Sequence, residues 1–299
     1  MVVSIYSQID ANRKKTYFIM VFFILFIIFI SYVFGKALGY GGSLVGIAFI
    51  VSGIMTWSSY YFGDKIILGL SGAREADRKR DFDFYTISEN IAIGAGIPKP
   101  KLYVIEDSAP NAFATGRDPQ HAVVCATRGL LQKLDRYELE GVIAHEMSHI
   151  QNYDTRWMAV VSILVGTVAF LSDWFMRSLW WGGGRRRDDR GGSGILIILG
   201  IVFAILTPII ATLIQFAVSR KREFLADASG TLITRNPKAL AMALEKISQD
   251  KEVLEAATNA TAHLYIINPF KDKNFTAWFS SLFNTHPPIE ERIKILRSM

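Results

Sequence analysis

The residues of this chain best suited to chemistry are His145-Glu146-Met147-Ser148-His149. On a helix, histidines at i and i+4 share one face a single turn apart, so both imidazoles can reach one ion. The glutamate between them points beside that face and is not placed as a ligand. In metal-assisted amide hydrolysis a glutamate so placed takes a proton from water and passes it to the leaving amine. Only five histidines occur in the chain, so finding two of them in this spacing around a glutamate weighs against a helix that merely carries packed histidines. One class of zinc peptidases extends the motif with a glycine and a third histidine. Those positions are Asn152 and Thr155 here, which excludes that class. Another class takes its third ligand from a later helix in the pattern E-x-x-x-D, and Glu223-Phe224-Leu225-Ala226-Asp227 supplies it. Glu223 completes a His2Glu set with the fourth position left to water. Asp227, one turn on, is suited to accept a hydrogen bond from a ligand histidine and fix its tautomer.

These side chains need elements to hold them. Asp135, with Glu138 three residues later, forms a capping-box pattern that predicts a helix from about 136 to 153. Leu139, Val142, Ile143, Met147 and Ile150 keep helical spacing on it, so one face is buried. Upstream, 101–105, 111–115 and 121–127 read as short strands separated by Asp107, Ser108, Pro110, Gly116, Asp118 and Pro119. Residues 72–93 are charged and helix-prone and stop at Gly94-Ala95-Gly96. Residues 219–299 read as mostly helical, with breaks at Asn268-Pro269 and Pro287-Pro288.

The rest of the chain is unlike a soluble enzyme. Of 299 residues, 51% are hydrophobic and 20% charged, and the mean hydropathy is +0.25. This excludes a disordered chain and points to a membrane protein with a sizeable soluble part. The single Cys125 excludes an internal disulfide and a cysteine-built zinc site. Four apolar runs stand out, at 16–34, 37–61, 157–171 and 194–218. The first, second and fourth are each long enough to cross the hydrocarbon core as a helix, which takes about 20 residues. The third fits either a span or a re-entrant segment; four spans is the reading adopted. The first two form a retained hairpin in which Gly42 and Gly46 have a spacing that permits close helix approach, or are simply tolerated in lipid. Arg13, Lys14 and Lys15, then Lys65, then Arg220, Lys221 and Arg222 fall on one side of four spans, which the positive-inside rule makes the cytoplasm. The glycine- and arginine-rich 182–192 loop, with Arg185, Arg186, Arg187 and Arg190, falls on the other side and is the exception. The basic residues cluster at span ends and not on one helix or sheet face, so the +6 net charge gives no support to nucleic-acid binding.

His145–His149, the 219–229 stretch SRKREFLADAS, Pro110–Gly116 (PNAFATG) and Thr285-His286-Pro287-Pro288 together resemble HtpX-type membrane metallopeptidases, the branch related to the CAAX prenyl proteases. The resemblance covers nearly the whole chain. It implies an α-helical membrane protein with about four transmembrane helices and a zincin-like α+β peptidase domain. It further implies one Zn2+ per chain on His145, His149 and Glu223, with Glu146 as base and then acid. Residues 1–62 would be the N-terminal hairpin, 63–156 and 219–299 the two parts of the peptidase domain, and 157–218 the second transmembrane pair. The implied role is quality control at the inner (plasma) membrane. The N-terminus and active site would face the cytoplasm, and the substrates would be misfolded or damaged membrane proteins met at the lipid bilayer, with membrane quality-control proteins as partners. In this class of peptidases an edge strand aligns the substrate backbone, a position matched by Asn111, Ala112 and Phe113. His286 matches a late histidine expected to stabilise the oxyanion. Arg292 is within range of pairing with Asp227 or Glu223, a choice the sequence leaves open.

Two other classes compete with an enzyme. A non-catalytic membrane scaffold would keep zinc for structure, which normally takes four protein ligands. A small transporter would carry ionisable residues inside its spans, and 16–34 and 194–218 have none.

Overall fold

A computed structural model describes residues 5–37, 43–164, 220–258, 261–267, 269 and 287–299. The fourth apolar run, residues 165–171 of the third, the 182–192 loop, Gly42 and His286 lie outside the described residues.

Two long helices open the chain, α1 (Ile5–Ala37) and α2 (Ser43–Leu70), packed against each other. Among the described residues no helix is long and apolar enough to cross a membrane. The uncharged 16–34 run of α1 continues past Phe29 into residues whose side chains are described only in part. Gly46 has open space around its Cα, whereas Gly63 meets Ile163 and Ala159 at 3.3 and 3.6 Å from a built Cβ. The close approach is therefore made at Gly63, toward the helical 154–164 stretch.

The charged 72–93 stretch is only partly helical. Arg74–Glu75 forms a short strand, β1, and α3 begins at Phe82 and runs to Ala95. The chain turns between them because Asp77 caps its own bend, accepting from the backbone N–H groups of Lys79 and Arg80. Helix α3 stops at Gly96, whose φ of 67° lets its N–H reach back to Ala92 and Ile93.

Strands β2 (Lys101–Ile105), β3 (Ala112–Gly116) and β4 (Ala122–Thr127) complete a four-stranded sheet of order β1-β2-β4-β3. Strand β4 runs parallel to β2 and antiparallel to β3, which lies at the sheet edge. Both faces are buried. Leu102, Val104, Ala112, Ala114, Val124 and Ala126 join the core formed with α3, with α5 (Arg136–Gln151) and with α7 (Pro237–Gln249). Their neighbours Ile105, Phe113, Val123 and Cys125 join a second core with Ile19, Phe23, Ile67 and Leu68 of α1 and α2, and with Tyr265. The period of two thus places the sheet between α5 and the N-terminal hairpin.

The short α4 (Arg128–Lys133) leads into α5. The capping box forms as the sequence predicts: Asp135 accepts from the Glu138 N–H at 3.0 Å, and Glu138 accepts from the Asp135 N–H at 2.8 Å. Helix α6 (Arg220–Thr234) packs along α5, and α8 (Ile289–Ser298) closes the far side against α6 and α7.

Candidate metal centre

On α5, His145 and His149 project from one face and are buried, at 1% and 5% exposed. Helix α6 meets that face with Glu223, Ala226, Asp227 and Gly230, four buried residues at helical spacing. Gly230 sets how close the two helices come, since a Cβ there would sit 3.0 Å from the His145 nitrogen and 3.1 Å from the Ala144 carbonyl carbon. Gly230→Ala should therefore prise α6 from α5 and destabilise the protein by about 1–3 kcal/mol. An unchanged melting temperature would remove this contact from the account.

The approach brings the Glu223 carboxylate 3.7 Å from His145 Nε2 and 3.5 Å from His149 Nε2, and the two Nε2 atoms stand 3.2 Å apart. One donor atom from each of the three residues fits within a 4.8 Å group. Tetrahedral bonds of about 2.0–2.2 Å place ligand atoms roughly 3.3 Å from one another, so these spacings fit zinc. The chemistry of the donors agrees. The Asp227 carboxylate lies 2.9 Å from His145 Nδ1, and that of Asp154 lies 3.0 Å from His149 Nδ1. Carboxylates only accept, so each ring gives its Nδ1–H outward and turns an Nε2 lone pair inward. Two lone pairs facing each other at this distance call for a cation or a proton between them. Burial works against a charged His149, but the hydrogen bond to Asp154 and the charges of Glu223 and Glu146 overcome it and push the ring up to about 9. For His145, burial prevails over Asp227 and holds the ring below its ordinary value.

Arg292, fully buried on α8, makes both pairings that the sequence left open. Its Nε and Nη2 donate to the two Asp227 oxygens at 2.8 and 2.6 Å, and its Nη1 lies 3.3 Å from Glu223. Burial alone would raise Asp227; Arg292 and His145 reverse that and hold it at about 2.

Glu146 is buried beside the ligands, with the Ala114 backbone of β3 near enough to favour its ionised form. Burial pushes it up to about 7, with the negative charge of Glu223 adding to the rise. That value suits a group which must both take and return a proton near neutral pH.

Along the β3 edge, Thr127 N–H donates to Asn111 C=O, so Asn111 and Phe113 turn their backbone groups toward β4, and Ala112 and Ala114 turn theirs outward. The outer groups of Ala112 are already engaged: its N–H with the Asn111 side chain at 3.1 Å, its C=O with the Ile266 N–H at 3.0 Å. The Asn111 amide also donates to Ile267 C=O at 3.0 Å. Phe113 turns away from α5 into the second core, edge-on to Tyr265. Both its side chain and its backbone are used inside the fold.

Asp154 is the member that sequence reasoning missed. It follows the last turn of α5 after Tyr153, whose φ of 58° is unusual for an aromatic residue. Its only signal was a carboxylate five residues past the second histidine. His121 is an exposed partner of Asp118, and Cys125 is a buried core residue whose thiol burial pushes up.

The model of peptidase family M48 matches residues 79–299. The protease HtpX homolog of Caldanaerobacter subterraneus subsp. tengcongensis is 46% identical over 301 residues, covering 99% of this chain and 98% of that one. The protease HtpX homolog of Dictyoglomus turgidum is 44% identical, covering 98% and 94%. Among solved structures, the crystal structure of S. mikatae Ste24p matches at a TM-score of 0.49 and 18% identity, over 91% of this chain and 62% of that chain. With relatives of full length on one side and the donor geometry of α5 and α6 on the other, the chain belongs to peptidase family M48 and is an HtpX-type metallopeptidase.

Proposed function

We propose that this protein is an integral-membrane, zinc-dependent endopeptidase that cleaves misfolded or damaged membrane proteins at the cytoplasmic face of the inner (plasma) membrane. The catalytic part rests on His145, His149 and Glu223 grouped as ligands with no fourth protein donor among the described residues, and on Glu146 beside them. Bound there, zinc supplies a Lewis acid that polarises the scissile carbonyl and makes water a nucleophile near neutral pH. Glu146 removes the proton from the attacking water and delivers it to the leaving amine nitrogen. Asp227 and Asp154 hold the two rings in the tautomer that offers Nε2. Outside the described residues, His286 remains the proposed oxyanion donor. Asn111 and Ala112 are the proposed holders of substrate backbone, which would require exchange of their present bonds to residues 266–267.

The membrane part is supported by the outward side chains of the N-terminal hairpin. Phe18, Val21, Leu25 and Phe29 on α1 and Ile47, Ile50 and Ile54 on α2 are all exposed, an apolar band too extensive for water. Four spans, the third and fourth drawn from 157–218, remain the proposed topology. The metal centre meets α1 near its N-terminal end through Asn12, next in the chain to Arg13, Lys14 and Lys15, and under the positive-inside rule that end would face the cytoplasm. Substrates drawn from the bilayer would meet the site there, whether delivered by quality-control partners or encountered directly.

The test is zinc content and cleavage of an unfolded fluorescent protein by the full chain in detergent. Wild type should hold one zinc and cleave. Glu223→Ala should lose both the metal and the activity. Stoichiometric zinc in the variant would remove Glu223 from the ligand set, and zinc-loaded wild type without cleavage would favour the scaffold.

A further inference from the structure

The metal centre has a contributor from outside the matched 79–299 region. Asn12, on α1, is 1% exposed. Its Nδ2 donates to Asp154 Oδ1 at 2.7 Å and to Asn152 C=O at 2.9 Å. Both partners are acceptors, which fixes the orientation of the amide. Asp154 thus divides its oxygens: Oδ2 takes His149 Nδ1, while Oδ1 takes Asn12 and lies 3.6 Å from Arg222 Nη1, next to Glu223 in the chain. The same helix secures the turn that carries Asp154. Arg13 lies over the Tyr153 ring at 4.7 Å, and Arg156 over it at 4.9 Å. A left-handed non-glycine residue persists only where its surroundings over-determine it.

We infer that Asn12 is a positioning residue for the metal centre, acting through Asp154 on His149. A carboxylate held only by the histidine it orients would be free to rotate and would orient it poorly. Asn12 holds the second oxygen and so fixes the carboxylate plane, and with it the direction of the His149 lone pair. The metal site is then complete only with α1 seated against the 152–154 turn. This rests on the zinc reading above.

The test uses the full chain, loaded with zinc in detergent, and follows metal release into excess chelator. Asn12→Ala and Asp154→Asn should each speed release by about 10- to 100-fold, the range for loss of a group that orients a metal ligand. The double variant should be no faster than Asp154→Asn alone, since both act on one carboxylate. Ile19→Ala is the control: it lies two turns along the same helix and is buried in the second core, to which none of these groups belongs. It should lower the melting temperature of the metal-free protein and leave release near the wild-type rate. Release from Asn12→Ala at the wild-type rate, or from Ile19→Ala as fast as from Asn12→Ala, would overturn the inference. Wild type holding no zinc would overturn the zinc reading and this inference with it, and so is distinguishable from failure of the inference alone.

Discussion

Glu146→Gln is expected to lower kcat by roughly 10²- to 10⁴-fold, the range associated with loss of a positioned acid–base group. The amide matches the carboxylate in shape and can take its place beside the Ala114 backbone. It cannot take a proton from water, nor return one to an amine. His145, His149 and Glu223 are unaltered, so zinc content should be that of wild type and KM should change little. Loss in kcat with metal retained separates this variant from Glu223→Ala, in which metal and activity fall together. Cleavage by Glu146→Gln within a few-fold of wild type would sink the assignment of Glu146 as the proton carrier.

Arg292→Met is expected to be the most destabilising single change at the site. The guanidinium is fully buried and bonds two carboxylates, Asp227 through both oxygens and Glu223 through one. Removing one partner from a buried charge pair costs about 3–5 kcal/mol, because the other charge stays buried without compensation. Two carboxylates are left in that position here, and Asp227, which Arg292 helps hold at about 2, loses that support. Denaturant unfolding of the metal-free protein measures the effect directly. Arg292→Lys should recover only part of it, since an ammonium cannot bond both Asp227 oxygens as the planar fork does. Stability of Arg292→Met within about 1 kcal/mol of wild type would mean that the pair is solvated or redundant.

How much of this could be read from the chain depended on distance along it. The capping box at Asp135 and Glu138 formed where the residues predicted it, because its partners are three residues apart. The i, i+4 histidines and the i, i+4 spacing of Glu223 and Asp227 were legible for the same reason. Strands β2 and β4 were visible as short apolar runs between turns. The strand at Arg74–Glu75 was not, because it carries no apolar alternation and exists through pairing with β2. Asp154 was invisible as a partner of His149, since the Tyr153 backbone that swings it back has no sequence signature. Asn12 reaches it across 142 residues, a contact that periodicity cannot register. Phe113 was read as part of an open edge. Period-two alternation gave two faces for that strand, but only the fold shows that the hairpin covers the second one.

That covered second face bears on how the protein is made. The α1–α2 hairpin leaves the ribosome before the sheet and well before α5 and α6, so the surface against which Phe113, Val123 and Cys125 pack is in place first. The sheet would condense onto a hairpin already made, and the histidines of α5 could meet α6 only afterwards. A chain whose hairpin failed to form would bare that apolar face and lose the Asn12 bond to Asp154 with it. The hairpin would then be a precondition of the active centre as well as its support.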